Sequence, residues 1–190
     1  MRFLATLVGI FALLIGASSS ASAKGAPDEG ARILMGVMKS ADPQAAMQKI
    51  PQAKRDLVEA ALRRDLTLEP VPASQQRVSA TTSGCWYDYE YSQPTLYGMK
   101  VGSLWQELDW CGNGSSVTSY STGSYGCTGQ YGFSCTTKAV NWANVGWEVR
   151  QLGRFTYKIS WATSTYCGQI RGGASGLHST RWNNCNLYSS

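Results

Sequence analysis

The hydrophobic pattern of this chain changes character twice. Phe3 to Ile15 is an almost unbroken apolar run. From Ala26 to Leu66 the apolar residues recur at helical spacing, and from Cys85 onward they alternate with polar residues. A repeat of about 3.6 residues marks a helix with one buried stripe, and a repeat of about 2 marks a half-buried strand. The pattern predicts a short α-helical N-terminal segment followed by a mainly β domain.

Within the helical region, Ala26-Pro27-Asp28-Glu29 suits a helix start, with proline near the first position and acids in the first turn. Ile33, Leu34, Val37 and Met38 supply the stripe. Ser40-Ala41-Asp42-Pro43 stops that helix and caps a second one carrying Ala46, Met47 and Ile50. A third is expected from Gln52 to Leu66, with Leu57, Ala61 and Leu62 on one face and Lys54, Arg55, Arg63 and Arg64 mostly on the other. Glu69-Pro70-Val71-Pro72 ends the helices, and the polar stretch 70–83 reads as a linker. The leader, residues 24–69, is either retained or a pro-segment cut within the linker, for instance after Arg77. The absence of a dibasic processing site in the linker favours retention. Its stripes are narrow and alanine-rich, so these helices need something to pack against.

The β domain is expected over residues 84–190. Phe155, Tyr157, Ile159 and Trp161 alternate with polar neighbours, as do Val145, Trp147 and Val149. These two strands are expected to join at a Gln151-Leu152-Gly153-Arg154 turn. Leu104, Gln106, Leu108 and Trp110 share one strand face. The Asn113-Gly114 turn should bring Val117 to Ser121 back beside that strand. Cys85, Tyr87, Tyr89 and Tyr91 lie on one face of another strand, and 166–170 and 181–188 are weaker candidates. Roughly six to eight short strands with glycine-rich turns imply an antiparallel β-sandwich or barrel-like domain.

The first apolar run belongs to an export signal rather than a membrane anchor. Arg2 is a minimal positive start, and Ala21-Ser22-Ala23 is a cleavage site that makes 1–23 a signal peptide. The run is too short to cross ~30 Å of hydrocarbon as a helix. The product is expected to be exported, without membrane insertion after signal removal, and monomeric. The full chain carries a formal net charge of +5. The basic residues are dispersed, which reads as solvated helix faces and not as a nucleic-acid patch. That mild charge allows loose attraction to an anionic cell wall.

All six cysteines fall between 85 and 185, and behind an export signal they read as disulfides. Six cysteines allow fifteen pairings. Cys127–Cys135 closes a compact loop and is the local expectation. The other four are expected as Cys111–Cys167 and Cys85–Cys185. With no Cys-x-x-Cys and one histidine in the chain, no metal site and no cofactor are expected.

Ile50-Pro-Gln-Ala-Lys-Arg-Asp-Leu-Val-Glu-Ala-Ala-Leu62, Ser83-Gly-Cys-Trp86 and Trp110-Cys-Gly-Asn-Gly-Ser-Ser-Val117 together resemble a group of small secreted actinobacterial proteins without assigned function. The resemblance covers about a fifth of the exported chain. It implies export and a β-sandwich-like domain, and it carries no catalytic residues across.

Candidate chemistry is sparse. His178 is the only histidine, and the nearby Ser175 lacks the second glycine of a nucleophile elbow. Four carboxylates come as i, i+2 pairs, Asp88 with Glu90 and Glu107 with Asp109. If their strands are neighbours, the four acids gather on one surface, as a glycosidase or a calcium site would need. Otherwise they solvate the outer face of a hairpin. Trp142, Trp147 and Trp161 follow the core pattern, whereas Trp86, Trp105 and Trp182 fall off the apolar faces. Trp86 beside Asp88 and Glu90, and Trp105 beside Glu107 and Asp109, suggest sugar-binding surfaces. The alternative is that these rings cover disulfides or pack under the leader. Three functions follow: a non-enzymatic binding module for extracellular glycan or cell wall, a protein-interaction factor such as an inhibitor or antagonist, and a hydrolase using clustered carboxylates. The first is the expectation, with an extracellular glycan or protein as ligand.

Overall fold

A computed structural model describes residues 27–70, 83–176 and 178–188. The expected signal peptide and almost all of the expected linker lie outside the described residues.

Three helices form where the caps and stripes predict them. Asp28 caps α1 (Glu29–Met38) by accepting from the Ala31 amide, and Asp42 caps α2 (Pro43–Gln48) by accepting from the Ala45 amide. Helix α3 spans Gln52–Asp65. Leu66–Pro70, expected to finish the helical leader, is instead a strand, β1, whose Leu66 and Leu68 pair with Leu96 and Pro94 of the next strand. The leader therefore contributes to the sheet as well as packing on it.

The remaining strands are β2 (Gly84–Leu96), β3 (Met99–Lys100), β4 (Gly102–Gly112), β5 (Val117–Gly129), β6 (Ser134–Asn144), β7 (Glu148–Ile159), β8 (Ala162–Gly173) and β9 (His178–Trp182). They form two antiparallel sheets. The first runs β1-β2-β4-β5, with β3 also on β2, and the second runs β6-β7-β8-β9. The sheets pack face to face as a sandwich, the architecture the alternating pattern implied. The expected turn at Gln151–Arg154 does not exist: β7 runs straight through it and turns only after Ile159 to pair with Ala162. Gly153 serves close packing there, because a Cβ on it would come within 2.8 Å of the Gln106 side chain.

The apolar core has two parts. At one end Leu34, Met47, Val58 and Leu62 of the helices close over Leu104, Phe155, Tyr157, Ile159 and Tyr166 of the sheets. At the other end Trp86, Leu108, Trp110, Val117, Val149 and Ile170 meet between the sheets. Gln106 and Gln151, both fully buried, also point inward between the sheets. Trp147, expected in the core, is 58% exposed, because Val145-Gly146-Trp147 forms the loop before β7. Trp161 is partly buried and donates to the Met47 carbonyl, with Arg55 over its ring. Trp142 is also partly buried and packs against Tyr120. Trp182 lies against the helix-end core.

Three disulfides are present. Cys127 pairs with Cys135 and links β5 of one sheet to β6 of the other. The other two expected pairings, Cys111–Cys167 and Cys85–Cys185, are replaced by Cys85–Cys111 and Cys167–Cys185. Cys85 and Cys111 are direct partners in the β2–β4 register, with Cα atoms 3.9 Å apart. Cys167 faces the outside of the second sheet, where the chain after β9 folds over Leu152 and Ala143 and buries Leu187. Three such bonds fit an oxidising compartment outside a reducing cytoplasm. No helix among the described residues is long and apolar enough to cross a membrane.

Candidate functional site

The register of β2 against β4 decides where the candidate residues go. Asp88 lies opposite Leu108 and Glu90 opposite Gln106, while Tyr89 lies opposite Glu107 and Tyr87 opposite Asp109. Residues directly opposite in a pair share a face. Asp88 and Glu90 therefore point between the sheets with Leu108 and Gln106, and Glu107 and Asp109 point outward. The strands are neighbours, as the four-acid surface required, yet the two pairs occupy opposite faces. Each pair alternates correctly along its own strand. The offset between the strands could not be read before the Cys85–Cys111 pairing was known.

Trp86 goes inward with Asp88. It is 4% exposed, with its ring centroid 6.0 Å from that of Trp110. It is a core residue and not a surface platform. Trp105 points outward, beside Tyr91 on one side and Gly126 on the other. Its Nε1 donates to the Ser124 hydroxyl at 3.0 Å.

The outer face of the first sheet thus carries Tyr87, Tyr89, Tyr91, Trp105, Glu107 and Asp109, flanked by Ser119 and Ser121 of β5. Tyr89 and Tyr91 are stacked, with centroids 6.4 Å apart. A shift in the β4–β5 register after Gln106 brings Gly123 and Ser124 over Glu107, whose Oε2 accepts from the Ser124 amide at 2.6 Å. That bond fixes the carboxylate beside the tyrosines. Burial, followed by the Glu107 charge and its hydrogen bond, pushes the Tyr87 hydroxyl up to about 12. At neutral pH it is protonated and donates to Glu107. Next to it, Cys85, Tyr87, Asp109, Cys111, Ser119 and Ser121 line an open cleft of about 490 Å³.

The alternation pattern put Tyr87, Tyr89 and Tyr91 on one face but did not show that this face is the outer one. Trp86 and the tyrosines are all large and aromatic, so hydrophobicity does not orient the strand. The cysteine at 85 is the signal that does, once its partner is known.

The inward acids occupy a different environment. Asp88 is 8% exposed, and its Oδ2 has no hydrogen-bond partner. Burial raises its pKa above the ordinary carboxylate value, partly offset by His178. Glu90 is also raised by burial, although the Thr180 hydroxyl donates to its Oε1. Among the described residues, no three His, Cys, Asp or Glu side chains are grouped to hold a metal ion.

Lys54, Arg63 and Arg64 pair with Glu29, Glu59 and Asp28 respectively, and Arg64 also meets Asp65. Three of the four cations in the basic doublets of α3 are thus bound into local ion pairs, and the fourth, Arg55, donates to the Ile50 carbonyl and lies over the Trp161 ring.

Comparison with family models, with curated proteins and with solved structures finds no match to this chain.

Proposed function

We propose that this protein is an exported, non-enzymatic binding module that holds extracellular glycan or cell-wall polysaccharide on the outer face of its first sheet. The observation that carries the reading is one sheet face bearing Tyr87, Tyr89, Tyr91 and Trp105 together with Glu107 and Asp109. Pyranose rings present flat apolar C–H faces that stack on aromatic rings, and their hydroxyls donate to carboxylates. An antiparallel sheet holds such groups at fixed spacing, so little ordering is needed on binding.

Export through the 1–23 signal, with Lys24 as the new N-terminus, belongs to the same proposal, as does kinship with small secreted actinobacterial-type proteins. The three disulfides support the export part of it.

The hydrolase reading lacks its premise, because the four acids do not share a surface. A projecting, disulfide-braced loop at 122–139 would favour the antagonist reading. Those residues instead form the end of β5, a short crossing and the start of β6. The test is retention of purified protein on insoluble glycans and bacterial cell walls at low and high salt. Retention that resists salt and disappears in Trp105→Ala supports the stacking site. No retention, or retention abolished by salt alone, turns the search to protein partners.

A further inference from the structure

The outer face of the first sheet sorts its groups along β4. Trp105, Glu107 and Asp109 alternate down that strand, so successive side chains stand about 7 Å apart. A glycan chain lying along β4 meets the indole at one end and the cleft beside Tyr87 at the other.

The two carboxylates differ in what they have left to offer. Glu107 already accepts from the Ser124 amide and from the Tyr87 hydroxyl. Gly123 makes room for it, because a Cβ there would collide with Oε2. Asp109, half-buried, forms no hydrogen bond or ion pair among the described residues. It is also the only charged side chain among those that line the cleft. Lys100, which the register puts on the same face, lies opposite Thr95 at the far end of β2.

The charge at the cleft is therefore negative on a chain whose formal net charge is +5. A cationic ligand that binds here is held by these acids against the charge of the whole protein. A uronate or phosphate is drawn by the net charge at a distance and meets like charge on arrival.

We propose that this face selects glycans bearing free amino groups, the de-N-acetylated hexosamine class, with the sugar ammonium on Asp109 and a neighbouring pyranose on Trp105. The proposal rests on the glycan-binding reading of the same face and names the ligand class within it. A protonated amine donates charge-assisted hydrogen bonds to a carboxylate, which are roughly twice as strong as neutral ones. An acetylated amine keeps the stacking and loses the charge.

The test is calorimetric titration of the purified protein with oligomers of glucosamine, N-acetylglucosamine and galacturonate, equal in length, at a pH where the amines are charged. The expected result is binding of both hexosamine oligomers, about tenfold tighter for the amino form, with galacturonate the weakest. Added sodium chloride should narrow that gap without removing the affinity the two share. Asp109→Asn should close the gap, chiefly by weakening the amino oligomer. The salt series on the wild-type protein decides the matter if the variant does not fold. Equal affinity for the two hexosamine oligomers, or a gap untouched by salt and by Asp109→Asn, overturns the selectivity and leaves the stacking face in place. Binding of none of the oligomers overturns the glycan reading and this proposal together.

Discussion

The indole of Trp105 lies across Gly126, where an added Cβ would come within 2.7 Å of the ring. The glycine on β5 therefore sets how flat the indole rests on the sheet, and the Ser124 hydroxyl fixes its rotation. Gly126→Val should tilt the ring and weaken cell-wall retention about as much as Trp105→Ala. Each should cost about 1.4 kcal/mol of binding, near tenfold. Equilibrium binding to insoluble glycan measures both variants, and full affinity in Gly126→Val would show that the indole's pose is unimportant.

Gln106 is fully buried, and neither its Oε1 nor its Nε2 has a hydrogen-bond partner. An unmade buried hydrogen bond costs about 1–3 kcal/mol. Gln106→Leu should therefore be neutral or stabilising in urea unfolding. Gly168→Ala should be destabilising by about 1–3 kcal/mol, because its Cβ would meet both the Trp182 ring and Gln106. Marked loss of stability in Gln106→Leu would reveal a partner, such as an ordered water, that the amide depends on.

Leu62 of α3 is fully buried in the cluster that joins the helices to both sheets. Leu62→Ala should cost about 2–5 kcal/mol, and the whole protein should unfold in one transition. Cutting the chain after Arg77 should leave the N-terminal piece bound, held by β1 pairing and this cluster. Gel filtration of the cut protein checks this, and spontaneous loss of the piece would make the leader dispensable.

Asp88 and Glu90 set a pH dependence. Burial raises their folded-state pKa values above unfolded values of about 3.9 and about 4.3. Between the unfolded and the raised values the native state holds more protons, so stability falls as pH climbs through that window. Asp88→Asn removes its share of the fall. The variant's urea midpoint should exceed the wild type's at pH about 7 and converge with it below about 4. A gap of the same size at both pH values would assign the effect to something other than ionisation.

Much of this was legible in the residues. The caps at Asp28 and Asp42 and the alternation of Leu104 to Trp110 mark their elements directly. What escaped was relational. Alternation gives two faces to a strand but does not orient them when both are aromatic, as at Trp86 and Tyr87. Gly153 looked like a turn because a glycine that makes room for Gln106 reads the same as one that bends the chain. Leu66 to Pro70 is too short to show its period, and only its pairing with β2 makes it a strand. The Cys85–Cys111 and Cys167–Cys185 pairs depend on the same cross-strand offsets.

The most direct test of the binding face is a titration of isotope-labelled protein with soluble cell-wall oligosaccharides, following backbone and indole N–H resonances. The account predicts saturable shifts at the Trp105 indole, the Ser124 amide and residues 87–91, lost in Trp105→Ala. Saturable binding that leaves those resonances unmoved would contradict it.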